Sequence, residues 1–214
     1  MESLRDTGED VDRRDPARPL AGVVLCGGRS VRMGADKASV EIGGVRLLDR
    51  AVTRLREACD PVLVAPGDVA FEAGAYVTVV DAVRGTGPIA GLVAALRVSP
   101  HRLLAVVAVD LPWLDPVLLR MLADRIADHD VALCETVRGV EPLHAVYSRS
   151  ALAAAERALQ GPDRSMHGLI ERVRTLRVTE DEWRAAGISQ RFSRNVNTPA
   201  DLAELNRELG RPVS

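Results

Sequence analysis

The stretch Leu25–Lys37 joins a pair of glycines to several basic side chains, directly after a run of apolar residues. Glycines such as Gly27 and Gly28 let backbone N–H groups come close to an anion or a base edge, because no Cβ intervenes. Arg32 and Lys37 add positive charge for phosphates. The stretch is therefore predicted to hold a polyphosphate. The stretch does not match the P-loop, which ends in Gly-Lys-Ser/Thr. It also does not match the dinucleotide-binding pattern G-x-G-x-x-G, which argues against hydride chemistry. The alternative to a phosphate-binding stretch is a solvated glycine turn.

Lys37 is unusual within this chain. Of the 28 basic residues, all but Lys37 are arginines. A lone lysine favours a place where a compact ammonium is needed instead of a planar guanidinium. The alternative is chance retention of a lysine on the surface. We predict that Lys37 binds the nucleotide and that Lys37 and Arg32 both take part in catalysis.

Asp110 comes directly after the most apolar run of the chain, Leu103–Val109. A carboxylate in that place is costly unless it meets a cation, and Mg²⁺ held by one or two carboxylates together with substrate phosphates fits well. The alternative is an aspartate that caps a helix or a turn before Pro112. We predict that Asp110 binds a Mg²⁺ cofactor and takes part in catalysis.

The pattern L-x-G-G-x-S-x-R-M-G-x-D-K in this loop resembles that of the molybdenum cofactor guanylyltransferase family of the MobA type. The resemblance implies that the nucleotide is GTP and that Leu25, Cys26, Gly27, Gly28 and Lys37 contact it. The double glycine is the guanylyl form, since cytidylyl relatives have Ala-Gly at the same place. Cys26 stands where a small residue such as alanine is usual.

Further segments extend this resemblance over the chain from about residue 20 to residue 209. The family's magnesium-binding aspartate falls at Asp110, and Asp81 matches another aspartate of its nucleotide site. For Asp81 a turn at a strand end is the alternative. Gly85–Gly91 contains the family's G-P-x-x-G segment. The family often has an asparagine after its second strand, and because this chain has Ala65 and Pro66 there, that contact is not carried over.

Two segments are similar to the acceptor side of the family, E-P-L-H-A and N-V-N-T-P. The resemblance implies that His144, Asn195 and Asn197 contact a pterin. In an extended chain the two asparagines point to one face and Val196 to the other, so that both amides can read the same ligand. The alternatives are a satisfied core or rim histidine at His144, and Asx turns that introduce the last helix.

The resemblance implies transfer of GMP from GTP to the phosphate of molybdopterin, or of its molybdenum-loaded form, with release of pyrophosphate. Molybdoenzymes or their chaperones are the implied recipients of the product. The sequence contains no Ser-His-Asp or Cys-His arrangement, which agrees with catalysis by positioning and charge neutralisation. Three alternatives stay open, namely a molybdopterin cytidylyltransferase, a sugar-phosphate nucleotidyltransferase and a non-catalytic nucleotide sensor.

Short β-rich runs alternate with amphipathic stretches, and these elements must position the residues above. The alternation predicts an α/β fold with a Rossmann-like, open and mostly parallel sheet, helices on both faces, and ligands at the carboxyl ends of the strands. The run 103–109 should lie in the middle of the sheet. Strands are predicted at 22–25, 62–64, 77–80, 103–109, 131–134, 143–147 and 176–178, and helices at 47–55, 89–98, 114–126, 151–159, 166–173 and from Pro199, capped by Thr198.

Composition and length set the remaining expectations. Residues 1–19 are rich in charged residues and proline and are predicted to form a disordered leader, followed by a single nucleotidyltransferase domain at 20–214. A net charge of −2 disfavours nucleic acid as a partner. The apolar runs are far shorter than the roughly 20 residues that span a bilayer, so we expect no membrane contact and a cytoplasmic location. Three scattered cysteines indicate neither a disulfide framework nor a zinc site.

Overall fold

The computed structural model describes residues 18–26, 37–67, 76–80 and 86–209. The predicted strands are all present, with bounds that differ by a few residues, and two additional short pairings occur. In chain order the strands are β1 Leu20–Leu25, β2 Glu41–Ile42, β3 Val45–Arg46, β4 Val62–Ala65, β5 Val77–Thr78, β6 Leu103–Ala108, β7 Val131–Thr136, β8 Gly139–Val140, β9 His144–Ser148 and β10 Thr175–Val178.

These strands form one open sheet of eight strands in the order β10-β7-β9-β6-β1-β4-β5, with β8 paired to β7. All pairings along that order are parallel except those of β9, which runs antiparallel to both β6 and β7. The predicted mostly parallel sheet is therefore confirmed. β6 lies at its centre with all six residues buried, as expected for its apolar sequence. β2 and β3 form a separate antiparallel pair that the sequence did not predict.

Helices cover both faces of the sheet, as predicted. One core lies under α1, α3, α6 and α7, and the other lies under α2, α4 and α5. None of the helices in the described residues is long and apolar enough to cross a membrane. Their bounds are α1 Leu47–Leu55, α2 Pro88–Val98, α3 Pro116–Arg125, α4 Leu152–Gln160, α5 Met166–Ile170, α6 Glu180–Ala185 and α7 Pro199–Leu209.

Side chains set two helix ends that differ from the prediction. α3 begins two residues late because Asp115 is its N-cap and accepts hydrogen bonds from the N–H groups of Val117 and Leu118 at 2.9 and 3.2 Å. α5 is shorter than the predicted helix 166–173. The Thr175 hydroxyl donates to the Ile170 carbonyl at 3.0 Å, so the chain leaves the helix there and begins β10.

Candidate active site

Three parallel strands end side by side at one edge of the sheet. Leu25 at the end of β1 is in register with Ala65 of β4 and with Ala108 of β6. The pairing continues for one residue more, since the Val109 N–H donates to the Leu25 carbonyl at 3.0 Å and the Cys26 N–H donates to the Ala65 carbonyl at 2.9 Å. Neighbouring strands are about 4.8 Å apart, so the chain enters its glycine-rich sequence next to the residues that lead to Asp110.

The start of the glycine-rich loop is anchored in the interior. The side chains of Leu25 and Cys26 are only 4% and 3% exposed and belong to the cores on opposite faces of the sheet. A nucleotide contact from these two residues would therefore be made by main-chain atoms. Gly27, Gly28 and Arg32 lie outside the described residues. Lys37 opens a short 3₁₀ turn at Lys37–Ser39, and its side chain also lies outside the described part of the structure.

Two carboxylates lie close together beyond β6. Asp110 is half-buried in the turn after the strand, and antiparallel β9 begins beside the end of β6, where the Ala108 N–H donates to the Leu143 carbonyl at 3.0 Å. This pairing brings Glu141 to the same edge. Burial raises the pKa of Glu141, the Arg138 guanidinium lowers it, and the Asp110 carboxylate raises it further. Asp110 and Glu141 thus share a region of negative charge.

This charge suits a hard divalent cation that brings most of its own ligands. Among the described residues no group of three or more His, Cys, Asp or Glu side chains could enclose a metal ion. Mg²⁺ commonly uses one or two carboxylates and completes its shell with water and substrate phosphates. Asp110, with Glu141 near it, matches that mode of binding. Sequence reasoning missed Glu141 as a site residue, although it opens the E-P-L-H-A segment.

The N-V-N-T-P segment lies directly against Asp110. The Val196 N–H donates to the Asp110 carbonyl at 2.9 Å, and the Val196 side chain is buried in the core. Asn195 is exposed and Asn197 is half-buried, which agrees with the predicted alternation of faces. Residues that are 86 positions apart in the chain therefore meet at one edge, as a single site containing Asp110, Asn195 and Asn197 requires.

The same segment also begins α7 as predicted. The Thr198 hydroxyl accepts the Asp201 N–H at 3.1 Å. In return, the Asp201 carboxylate accepts the N–H groups of Asn197 and Thr198 at 2.9 and 2.8 Å. This reciprocal capping fixes the backbone on which the two asparagines stand. The structural and the functional interpretations of N-V-N-T-P are thus compatible.

His144 lies in the core, which contradicts a direct pterin contact. Its side chain has no exposed surface, its Nε2 accepts the Asp115 N–H at 3.1 Å, and its ring lies 5.2 Å from that of Phe192. Nδ1 must then carry the proton, and it has no hydrogen-bond partner among the residues that the structure describes. Burial lowers the pKa of His144 to about 3, so the ring is neutral. The open alternative of a core histidine is the correct one, because β9 points this side chain inward.

Arg138 connects the two acceptor-side segments. It lies between β7 and β8 and donates from its guanidinium to the hydroxyl of Ser193 at 3.2 Å and to the carbonyl of the same residue. Its charge also acts on Glu141. Sequence reasoning missed Arg138, since nothing in its local pattern distinguishes it from a surface arginine in a turn.

The start of α2 is shaped by Gly87 and Pro88. Gly87 precedes the helix with φ 76° and ψ −164°, a conformation available essentially only to glycine, and Pro88 takes the first helical position. Within the described ranges, no side chain caps this helix, and no atom lies within 4 Å of the place where a Cβ on Gly87 would be. Asp81 and Gly85, which precede this helix in the chain, lie outside the described residues.

The central strand β6 leads to the carboxylate of Asp110, and its neighbour β1 leads into the glycine-rich sequence that begins at Gly27. This arrangement defines the chain as an α/β protein of the nucleotidyltransferase class. More particularly, the chain belongs to the family of MobA-like NTP transferase domains, which matches residues 22–178. The family and the fold expected from the sequence are both confirmed.

Relatives cover nearly the whole chain. The probable molybdenum cofactor guanylyltransferase of Opitutus terrae is 38% identical over 86% of this chain and 94% of its own length. The protein of the same description from Pelotomaculum thermopropionicum is 34% identical over 86% and 90%. The crystal structure of molybdopterin-guanine dinucleotide biosynthesis protein A from Archaeoglobus fulgidus has a TM-score of 0.77 and 26% identity, and the match covers 89% of this chain and 98% of that one.

Proposed function

We propose that this protein transfers GMP from GTP to the phosphate of molybdopterin, or of its molybdenum-loaded form. An oxygen of the acceptor phosphate forms a bond to the α-phosphorus of GTP, and the bond from that phosphorus to the oxygen bridging to the β-phosphate breaks. Pyrophosphate leaves with the electron pair of that bond. A phosphate monoester has a second pKa of about 6, so the acceptor is largely ionised at pH 7 and needs no general base.

One observation carries this proposal, the hydrogen bond of 2.9 Å from the Val196 N–H to the Asp110 carbonyl. It joins the segment expected to read the acceptor to the segment expected to hold the metal. Both lie next to the end of β1, from which the glycine-rich loop departs. A nucleotide phosphate near Asp110 and an acceptor near Asn195 and Asn197 would therefore be neighbours, as group transfer requires.

The choice of guanine and of a pterin acceptor rests on the relatives and on the loop. The relatives from Opitutus terrae and Pelotomaculum thermopropionicum are described as probable molybdenum cofactor guanylyltransferases. The pair Gly27 and Gly28 has the form expected of guanylyl enzymes. We assign Leu25, Cys26, Gly27, Gly28 and Asp81 to the nucleotide on this basis. The cytoplasmic location and the delivery of product to molybdoenzymes or their chaperones stay predictions.

Asp110 is the residue that we expect to hold Mg²⁺, with Glu141 close to it. When bound, the ion would neutralise charge on the phosphates of the nucleotide. The protein's own contribution is to orient the two substrates and to add positive charge from Lys37 and Arg32 around the transferred phosphoryl group. Glu141 would strengthen the negative field that attracts the cation.

A nucleotide-selective pyrophosphate assay tests the proposed reaction. Purified protein is incubated with molybdopterin, Mg²⁺ and one of GTP, CTP, ATP or UTP, and pyrophosphate is measured. We expect release with GTP, loss of release in EDTA, and recovery when Mg²⁺ is added back. Turnover with CTP, or with a sugar phosphate in place of molybdopterin, and none with GTP and molybdopterin would contradict the proposal. Binding of GTP without turnover would identify a nucleotide sensor.

The variant Asp110→Asn tests the role of the carboxylate. It removes one charge from the proposed metal site, and we expect pyrophosphate release to fall by about 100-fold or more, since metal assistance contributes several kcal/mol. Asp124→Asn is the matched control, because it makes the same chemical change at an exposed position of α3. Equal activity of the two variants would remove Asp110 from the mechanism.

A further inference from the structure

A cavity of about 510 Å³ lies beside the active-site edge, between three segments that are distant in the sequence. α1 lines it with Arg50 and Arg54, the turn after Asp110 lines it with Pro112 and Trp113, and the segment before N-V-N-T-P lines it with Arg191. Its volume is within the range of small-molecule sites, which is about 300 to 1,000 Å³.

The charges around this cavity favour an anion. Arg54 is already paired with Glu57, with hydrogen bonds of 2.9 and 3.0 Å. Arg50 and Arg191 form no ion pair with any residue that the structure describes. Asp115, the one carboxylate among the described residues that line the cavity, is engaged as the N-cap of α3. Two guanidinium groups are therefore available to a negatively charged ligand.

Trp113 gives the cavity a preference for a flat ring. Its indole is half-buried, and the guanidinium carbons of Arg191 and Arg194 lie 5.9 and 5.1 Å from its ring centroid. Arg194 is itself held by ion pairs of 2.7 and 2.9 Å to Glu204 and Glu208. A rigid indole beside planar guanidinium groups suits a planar heteroaromatic ligand, since both kinds of group stack on such rings.

The cavity is close enough to the catalytic edge to serve the acceptor. Trp113 follows Asp110 by three residues, so their Cα atoms are at most about 11 Å apart. α1 connects the parallel strands β1 and β4, and its first turn therefore lies at the same edge as the carboxyl ends of the strands. A ligand whose ring occupies the cavity can thus extend a phosphate towards Asp110.

We propose that this cavity binds the pterin end of the acceptor, with the ring beside Trp113 and the anionic dithiolene part near Arg50 and Arg191. This inference rests on the proposed function and replaces the pterin contact first expected from His144. Asn195 and Asn197 flank Val196, whose N–H donates to the Asp110 carbonyl, and they would then contact the linker or phosphate of the acceptor rather than its ring.

Steady-state kinetics test the assignment. In Arg50→Ala and Arg191→Ala we expect the KM for molybdopterin to rise by about tenfold or more, as the loss of a hydrogen bond to a charged group predicts, while the KM for GTP changes by less than about twofold. Arg56→Ala is the matched control, since it removes an exposed arginine just beyond the C-terminal end of α1 that does not line the cavity.

A second measurement does not depend on turnover. The chain has two tryptophans, and Trp183 is fully buried in the core. In a Trp183→Phe background the emission therefore comes from Trp113 alone. We expect pterin-6-carboxylate to quench it in a saturable way, Arg191→Ala to weaken that quenching by about tenfold or more, and inorganic phosphate or GTP to leave it unchanged.

The outcomes separate this inference from the proposed function. Normal turnover with an unchanged KM for molybdopterin in both arginine variants overturns the cavity assignment and leaves the reaction standing. Absence of turnover with GTP and molybdopterin, together with saturable quenching by pterin-6-carboxylate, overturns the reaction and supports the cavity. Equal quenching by phosphate or GTP identifies an unspecific anion site, which also overturns the pterin assignment.

Discussion

The buried His144 should make this protein lose stability in mild acid. Its side chain has no contact with solvent, and the pKa of about 3 in the folded state lies below the ordinary value of 6.5. Between these two values the unfolded chain binds a proton that the folded chain does not bind. The free energy of unfolding therefore falls as the pH decreases below about 6.5, and the loss is complete only near the folded pKa.

The size of this effect follows from the two pKa values. Between pH 7 and pH 5 the protonation factor of an unfolded histidine rises from about 1.3 to about 33, which lowers the free energy of the unfolded state by about 1.9 kcal/mol. The folded state gains almost nothing, because pH 5 is still well above its pKa. If the folded pKa were higher or lower by one unit, this change in the free energy of unfolding would differ by less than about 0.1 kcal/mol.

The measurement compares urea unfolding of the wild type and of His144→Phe at pH 7 and pH 5. The phenylalanine ring fills the same space and does not titrate. It also leaves the Asp115 N–H without an acceptor, but that cost is the same at both pH values. Carboxylates and the other histidines are common to both proteins and cancel. Between pH 7 and pH 5 we expect the free energy of unfolding to fall by about 2 kcal/mol more in the wild type than in His144→Phe.

An equal loss in both proteins would refute this reasoning. It would mean that His144 can be protonated without unfolding, because the ring reaches solvent and Nε2 takes up a proton instead of accepting the Asp115 N–H. His144→Gln serves as a second non-titrating variant in case the larger ring disturbs packing near Phe192. Its amide can still accept the Asp115 N–H, so it should show the same pH dependence as His144→Phe.

Three further substitutions have defined effects on stability. Asp115→Ala removes the N-cap of α3 and should cost about 1 kcal/mol in urea unfolding, whereas Asp124→Ala on the exposed side of that helix should have little effect. Gly22→Ala places a Cβ 2.7 Å from Leu55 Cδ2 and should lower the free energy of unfolding by about 1 to 3 kcal/mol. Leu55→Ala should then cost less stability in the Gly22→Ala background than in the wild type. Strictly additive losses would contradict the clash. Gly87→Ala should cost about 1 to 3 kcal/mol through backbone strain alone, so an unchanged midpoint would show that its positive φ is not needed.

Local patterns determined most of the architecture. The apolar run at 103–109 predicted a central strand with Asp110 at its end, because a strand buried on both faces needs an uninterrupted series of apolar residues. The pair Thr198-Pro199 predicted the start of α7 through the positional preferences of those residues at a helix start. Such signals act over a few residues and survive in almost any tertiary context, which is why they could be read from the chain alone.

The composition of the site depended on contacts that no local pattern specifies. β9 enters the sheet antiparallel between β6 and β7, and this placement brings Glu141 to Asp110 and turns His144 into the core. The sequence left the role of His144 open because the identity of its strand neighbours was unknown.

The sequence by itself determined the class of chemistry, and the tertiary structure decided which side chains can take part in it. Glycines after a strand and a carboxylate after a buried strand indicate a phosphate and metal site wherever the sheet forms. The meeting of Asp110 with Val196, and of Arg50 with Trp113 and Arg191, arises only when distant segments pack. The physical reason is that backbone propensities are short-ranged, whereas strand order and the packing of segments between helices are selected by burial summed over the whole core.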